Sequence, residues 1–440
     1  MQINLLPQIK KACQTLANGG FHAYIIGGAV RDSILGMVPL DWDITTNALP
    51  VQMEKLFEKT IPTGKEFGTI TVMIDNEPIE ITTMRQDGRY SDGRRPDDVV
   101  FTDNILLDLG RRDLTVNAIA YDPFTDSFID PYRGISHIKR RRLVTVGSPL
   151  ERFQEDPLRM LRLIRFQAVL GFRVDKNAVQ AIQPALMSKI SAERIQQEMS
   201  KLLLGHGLAP ALELFYRSGL MEEVLPELAV CAGVQKGGRH RFDVLGHSIM
   251  AAHFIRPQLH LRWAALLHDI GKPVQTGRDH AQVGAELTEK ILRRLRYSNQ
   301  LISQVKTLVA NHMYEVHPHS SERAIRRFIA KFGPQTALDL VELRRADAAG
   351  MYGDPRQIIH YVQTMKGRVE EILETDAALS LRDLDIDGTQ LMNELHLKPG
   401  PLIGQILDHL LQLVLEDPTL NNRQLLLQEA RLFLEQENRD

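Results

Sequence analysis

Two aspartates one residue apart, Asp41 and Asp43, are the clearest candidates for chemistry in this chain. They lie in Leu40–Thr46, which reads as a strand, and side chains at i and i+2 of a strand share a face. Two carboxylates on one face can share a cluster of cations, and Mg²⁺ favours carboxylate oxygens together with substrate phosphates. Two such ions about 3.5–4 Å apart activate an attacking hydroxyl and steady a pyrophosphate leaving group. Ahead of them, Tyr24-Ile25-Ile26 is apolar enough for a buried strand. Gly27-Gly28 follows, where the chain can turn and its backbone can approach a ligand. Ala29 to Leu35 then reads as a short helix, with Gly36 placed to stop it. Alone, a Gly-Gly is usually a turn and an Asp-x-Asp a polar strand end. The order of strand, Gly-Gly, helix and Asp-x-Asp carries the information.

More polar residues of the same kind follow. Gly68–Ile74 and Pro78–Thr83 alternate as strands around Asn76, a hairpin pattern, and put Glu80 where it can join Asp41 and Asp43 as a third carboxylate. Residues 85–98 hold two Gly, four Arg and four Asp, which cannot fill a core and read as a mobile loop. Arg111-Arg112-Asp113-Leu-Thr-Val-Asn117-Ala is expected to open a helix. Its arginines suit triphosphate oxygens, and Asp113 with Asn117, at i and i+4, suits ribose hydroxyls. Between Ile138 and Arg173 there are nine Lys/Arg against three acidic residues. Here Arg159, Arg162 and Arg165 recur every three residues along an apolar helix, a costly placement unless they face a polyanion or acceptors. Asp156 suits the N-cap before Pro157; alternatively, Asp156 and Arg159 offer an acceptor and donors to a base edge.

The stretch Gly-Gly-Ala-Val-Arg-Asp followed by Asp-Trp-Asp resembles the nucleotidyltransferase superfamily of the DNA polymerase beta type, in its tRNA CCA-adding and bacterial poly(A) polymerase branch. Arg111–Ala118 is similar to that family's second motif, Glu155-Asp156-x-x-Arg159 to its base-selecting motif, and Ser191–Glu198 to its fifth, structural motif. The resemblance is collinear from Tyr24 to about Leu204. It implies a template-independent enzyme that uses CTP and ATP to build or repair the 3′-terminal CCA of tRNA. Asp41 and Asp43 would hold Mg²⁺, with Glu80 as the third carboxylate. Gly27, Gly28, Arg31 and Arg112 would hold triphosphate, Asp113 and Asn117 the ribose, and Asp156 and Arg159 the base, with Arg162 and Arg165 on the same helix. The tail segments Asp387–Leu391 and Lys398–Gly404 resemble the family's RNA-holding end, and Gly400 and Gly404 at a helix start suit a phosphate or a simple turn.

A second constellation lies downstream: His247, His268-Asp269, His280, His312 and Asp347. Leu-Leu-His-Asp-Ile-Gly-Lys puts adjacent His and Asp at the end of an apolar helix. His247 and Asp347 complete a four-ligand set, and His280 and His312 suit a second metal. Imidazole mixed with carboxylate favours a divalent transition metal over Mg²⁺. The ordered set resembles the HD phosphohydrolase superfamily, a domain carried by some CCA-adding enzymes with phosphatase and cyclic-phosphodiesterase activities.

The bulk numbers bound these readings. A chain of 440 residues suggests about three domains. A net charge of −2 confines any polyanion site to a local patch. No apolar run approaches the ~18 residues of a membrane span, and Cys13 and Cys231 alone make no disulfide framework, which favours the cytoplasm. The expected fold is an α+β head with a mixed sheet (1–140), then an all-α neck (141–220), an HD-type helical body (221–375) and a helical tail (376–440). The head would be catalytic, and the neck and tail would bind base and RNA. Two other readings stand beside CCA addition. One is an enzyme adding only the final A, or a poly(A) polymerase. The other is a metal phosphohydrolase whose N-terminal half merely binds RNA.

Overall fold

The computed structural model describes residues 3–88, 99–235, 242–274, 277–352, 356–375 and 379–437. The expected loop therefore lies mostly outside the described residues. The chain divides into two compact units, Met1–Ala229 with Arg294–Arg296, and Val230–Arg293 with Tyr297–Asp440.

The first unit is built on a mixed sheet. Its strands are β1 (Ala23–Ile26), β2 (Asp43–Thr46), β3 (Thr60–Gly64), β4 (Thr69–Ile74) and β5 (Glu77–Thr83). A separate hairpin pairs β6 (Arg85–Asp87) with β7 (Val99–Phe101), and β8 (Ala120–Asp122) and β9 (Ser127–Ile129) return to the main sheet. Among the described residues the main sheet runs β3-β4-β5-β2-β1-β8-β9. The β4–β5 hairpin turns through Asp75 and Asn76, both at positive φ, as a two-residue turn of type I′ requires. Helix Pro7–Asn18 packs on β1 and β4 and buries Ile9, Ala12, Cys13 and Leu16. That is the i, i+3, i+4, i+7 stripe of an amphipathic helix.

Two local expectations are corrected. The strand expected from Leu40 begins only at Asp43, because ladder partners exist for Asp43 (Ile26 and Glu80) and β1 ends there. Leu40 is 93% exposed, and Asp41 sits on the unpaired run leading into the strand. The segment Arg111–Ala118 does not open an α-helix. Helix Ile105–Gly110 ends before it, Leu114 makes an isolated bridge to Thr145, and only Thr115–Asn117 forms a 3₁₀ turn. That bridge draws the backbone into an extended conformation just where a helix would start.

Beyond the sheet come helices Pro149–Glu155, Leu158–Leu170, Ala192–Leu203 and Leu208–Arg217. The expected all-α neck also carries a two-residue parallel pairing, Arg142–Leu143 with Arg173–Val174. Leu158–Leu170 packs against Ala192–Leu203 and Leu208–Arg217 and ends at Gly171 with φ +66°.

The second unit is helical among its described residues. Helices Val244–Phe254, Leu259–Leu267, Asn299–Ala310 and Pro334–Tyr352 pack on one another. Gly350 lets two of these helices close in: a Cβ there would meet Ala251 N and His247 O at 3.1 Å. The tail helices Gly388–Leu395, Pro401–Glu416 and Arg423–Glu437 gather Leu391, Ile406, Leu410, Val414, Leu426 and Ala430 into their own cluster. Asp387 caps the first of them through the Gln390 amide. Gly400 precedes the second, and Gly404 lies inside it rather than at its start.

Candidate active site and candidate metal centre

The parallel pairing of β2 with β5 places Asp43 opposite Glu80, so both carboxylates leave the same face of the sheet. Asp41, Trp42, Asp43, Thr71 and Glu80 line one cavity of about 600 Å³. Burial raises the pKa of Asp43; Arg112 opposes that shift and Asp41 adds to it. Glu80 is also raised, by burial and then by Asp43 and Asp41. Carboxylates that repel one another in this way fit a cation-binding set, because a divalent ion between them removes the cause. Gly27 stands over this set at φ +71°. A Cβ there would lie 3.0 Å from Arg112 Nη1 and 3.6 Å from Asp43 Oδ2, so a side chain is disfavoured by conformation and would press on the Arg112 guanidinium. The structure thus brings Gly27, Arg112, Asp41, Asp43 and Glu80 together.

The remaining expected nucleotide contacts form a linked polar network beside this set. Arg31, buried on helix Gly28–Ile34, donates from Nη1 to Asn117 Oδ1 at 2.6 Å. Asn117 Nδ2 donates to Asp113 Oδ1 at 3.2 Å. Arg162 donates from Nε to Asp113 Oδ2 at 2.8 Å. Arg165 pairs with Glu198 at 2.6 Å. Burial would raise the Asp113 carboxyl, but Arg162, Asn117 and the Leu114 amide together hold it well below the usual carboxylate range. Three guanidiniums surround the Phe166 ring, those of Arg31, Arg162 and Arg165, at 5.4, 5.6 and 3.7 Å from its centroid. The three-residue arginine spacing therefore meets carboxylates and a ring face rather than bare core.

Asp156 and Arg159 are each held from outside their own helix. Asp156 Oδ1 accepts from the Leu158 amide at 3.1 Å, while Oδ2 accepts from Arg194 at 2.7 Å. It is thus a cap and an ion-pair partner at once. Arg159 donates to Glu155 at 2.6 Å and to the Arg111 carbonyl at 2.9 Å. Sequence reading passed over Phe166, Arg194 and Glu198 as participants. The signal for Arg194 and Glu198 is the charged pattern of Ser191–Glu198, in which the buried Glu198 becomes intelligible only once Arg165 lies against it. It also passed over Asp108, fully buried and 2.9 Å from Arg111.

In the second unit the six expected residues converge. His247, His268 and Asp347 form one group, and Asp269, His280 and His312 another; in each, the ligand atoms lie within 4.8 Å of one another. His247 Nε2 is 2.9 Å from Asp347 Oδ1 and 3.1 Å from His268 Nε2. Asp269 stands between the groups, Oδ2 3.2 Å from His268 Nε2 and Oδ1 3.7 Å from both His280 Nε2 and His312 Nε2. Those last two ring nitrogens are buried without a hydrogen-bond partner. His268 Nδ1 donates to the Ala265 carbonyl and His312 Nδ1 to the Val309 carbonyl, both at 2.8 Å, which turns the other nitrogen inward as metal-binding histidines require. Burial depresses His268, but Asp269 and Asp347 more than offset it and raise its pKa to about 9. His312, by contrast, is pushed down to about 4 by burial and by His268. Imidazoles and carboxylates crowded at these distances fit a pair of divalent transition metals.

Comparison with known proteins assigns the chain. A family model described as the poly A polymerase head domain matches residues 23–144, one described as the RNA and SrmB-binding site of polymerase A matches 171–231, and one for tRNA nucleotidyltransferase domain 2 matches 279–430. The chain is 32% identical over 442 residues to the CCA-adding enzyme of Limosilactobacillus reuteri, covering 98% of each. It is 33% identical over 446 residues to that of Lactococcus lactis subsp. cremoris, covering 99% of this chain and all of the relative. Among solved structures, the Bacillus stearothermophilus CCA-adding enzyme in complex with CTP superposes with a TM-score of 0.77 at 27% identity, over 99% of this chain and 100% of the other. The Thermotoga maritima CCA-adding enzyme complexed with tRNA shares the fold at a TM-score of 0.56 and 17% identity, over 99% of each chain. The chain belongs to the CCA-adding enzymes, a family of tRNA nucleotidyltransferases.

Proposed function

We propose that this enzyme adds CMP and then AMP, from CTP and ATP, to the 3′ end of tRNA without a nucleic-acid template. The observation that carries this is the juxtaposition of Asp43 and Glu80 across β2 and β5, with Asp41 in the same cavity. Asp41, Asp43 and Glu80 would hold Mg²⁺, which when bound would activate the RNA hydroxyl and neutralise charge on the leaving group. The terminal 3′ hydroxyl gives its proton to solvent and its oxygen bonds to the α-phosphorus, the bond from that phosphorus to the bridging β-phosphate oxygen breaks, and pyrophosphate leaves. Gly27, Gly28, Arg31 and Arg112 receive the triphosphate, and Asp113 and Asn117 set the ribose side. Asp156 and Arg159 present an acceptor and paired donors to the base edge. Residues 1–140 act as the catalytic head, 141–220 as the neck that reads the base, 221–375 as the metal body and 376–440 as the RNA-holding tail. Two buried thiols outside any disulfide, Cys13 and Cys231, suit the reducing cytoplasm, and no described helix is long and apolar enough to cross a membrane. Incubation with tRNAs ending before CCA, after C and after CC, each nucleotide supplied separately, tests the reading. Addition of A alone to the CC-ended tRNA would assign the A-only activity instead.

A second activity is favoured by the converged histidine groups. With a transition metal at His247, His268, Asp269, His280, His312 and Asp347, the second unit would hydrolyse a phosphate ester. A water oxygen bonds to phosphorus, the ester P–O bond breaks, and the leaving alkoxide takes a proton. The buried, unpartnered Nε2 atoms of His280 and His312 support this assignment.

A further inference from the structure

Arg111 and Arg112 follow one another at the end of helix Ile105–Gly110, and by type both suit triphosphate oxygens. The structure gives them different neighbours. Arg112 reaches the catalytic set: its Nη1 is the atom a Cβ on Gly27 would meet, and its charge favours an ionised Asp43. Arg111 instead turns back onto Asp108, three residues earlier. Its Nε and Nη2 donate to Asp108 Oδ1 at 3.0 and 2.9 Å. The same oxygen accepts from the Arg85 amide at 3.3 Å, at the start of β6. The other, Oδ2, stands 3.6 Å from Arg112 Nη2. Asp108 is fully buried, so salt and solvent screen these interactions little.

The backbone of Arg111 makes a further contact. Its carbonyl accepts from Arg159 Nη2 at 2.9 Å. Arg159 Nη1 is held by Glu155 at 2.6 Å and by the Arg152 carbonyl at 3.3 Å. A guanidinium carries five N–H donors in one rigid plane. Three are committed in this way, which leaves Nε–H and one Nη2–H as a pair among the described residues. Glu155 and Arg152 are close to Arg159 in sequence. The Arg111 carbonyl, 48 positions away, is the contact that ties Arg159 to the segment carrying Arg112 and Asp113.

We infer that Arg111 is a positioning residue for nucleotide selection and not a triphosphate ligand: locked on Asp108, it fixes the carbonyl that aims Arg159 at the incoming base. This rests on reading Arg159 as part of the base reader. Base choice and triphosphate grip are then joined on one buried carboxylate, with Arg111 on one oxygen of Asp108 and Arg112 beside the other.

The test uses the full-length protein and a tRNA lacking CCA, and it reads UMP against CMP incorporation together with KM for CTP. Arg111→Met should raise UMP incorporation relative to CMP by about tenfold or more, with KM for CTP within about twofold of wild type. Arg112→Met should raise that KM by about tenfold. In an Arg159→Ala background Arg111→Met should add nothing to misincorporation, an outcome that general loosening of the fold does not give. Arg111→Lys keeps a charge against Asp108 but loses the forked donation; it should show the same pattern more weakly, and it carries the test if the methionine variant does not fold. A raised KM for CTP with discrimination intact makes Arg111 a triphosphate ligand and overturns the inference, as does further misincorporation in the double variant. Discrimination lost in Arg159→Ala but kept in both Arg111 variants refutes the positioning role and leaves the base reader standing. Wild-type discrimination in Arg159→Ala itself refutes the base reader, and the inference with it.

Discussion

Asp43 and Glu80 sit side by side because β2 and β5 run parallel in register. A shift of one residue in that register would turn Glu80 to the opposite face. Both carboxyls bind protons more tightly than usual, through burial and mutual repulsion. Asp41→Ala or Asp43→Ala should therefore abolish CMP and AMP incorporation together, a loss of several kcal/mol of transition-state stabilisation, while tRNA still binds. Glu80→Gln should slow both additions less severely. Steady-state incorporation and filter binding check this; near-normal incorporation by either aspartate variant refutes the assignment.

The base reader is tested through residues that hold it. Arg159→Ala should slow addition and blur discrimination against UTP and GTP. Arg194 pairs with Asp156 and is not assigned to the nucleotide, so Arg194→Ala should relax selectivity while KM for CTP changes little. If Asp156 serves only as a cap, Asp156→Ala costs about 0.5–2 kcal/mol of stability and selectivity is untouched. Four-nucleotide competition assays separate these outcomes.

Asp113 gives the first unit an acid limit. Its folded pKa lies well below the unfolded carboxylate value, burial being outweighed by Arg162, Asn117 and the Leu114 amide. A depressed pKa contributes stability that is complete above about pH 3.9, the unfolded value, and is lost as pH falls toward the folded one. The stability gap between wild type and Asp113→Asn should thus be flat from pH 7 to 5 and narrow below about pH 4. Denaturant unfolding across that range measures it, and a gap independent of pH down to pH 3 would remove Asp113 as the cause.

The histidine centre should be separable from nucleotide addition. Hydrolysis of a 2′,3′-cyclic phosphate should require Ni²⁺, Mn²⁺ or Co²⁺ and vanish in His268→Ala and Asp269→Ala, both of which keep CCA addition. Metal should raise the melting temperature of the wild type, since a ligand that binds only the folded state stabilises it. His312→Ala should bind fewer equivalents of metal by elemental analysis. No bound metal and no hydrolysis under any condition would leave the six residues without this role.

The polar segment 85–98 is expected to be the lever that switches addition from C to A. Its ends are tied by the Arg85–Phe101 and Asp87–Val99 pairings, and 89–98 lies outside the described residues. Accepting adenine after cytosine requires Asp156 and Arg159 to be reset while Asp41 and Asp43 stay fixed. Surface ion pairs of about 0–1 kcal/mol each suit such a reversible element. Shortening residues 87–94 should spare CMP addition and selectively impair AMP addition; equal loss of both, or loss of neither, defeats the idea.

Much of this was legible in the chain itself, because it depends on neighbours in sequence. The turn at Gly27-Gly28, the short helix that follows it, the amphipathic stripe from Ile9 to Leu16 and the Asp75-Asn76 hairpin follow from local conformational preference and periodicity. The motifs around Asp41, Arg112 and Asp156 also named the family correctly. Where the sequence reading erred, tertiary pairing overruled local pattern. Leu40–Thr46 alternates like a strand, yet it pairs only from Asp43, where β1 and β5 offer partners. Arg111–Ala118 is drawn out of helix by the Leu114–Thr145 bridge.

What only the folded chain decided is which polar groups satisfy one another. Arg31 meets Asn117 across 86 positions, Arg162 meets Asp113 across 49 and His247 meets Asp347 across 100. Residue types at fixed spacing state what each group can donate or accept, but burial presses most such groups to find a partner. The partner is set by which segments the sheet register and helix packing bring together. The sequence therefore determined the chemistry available to this enzyme, and the packing of distant segments decided that Glu198 would answer Arg165 and that Asp269 would stand between two histidine groups.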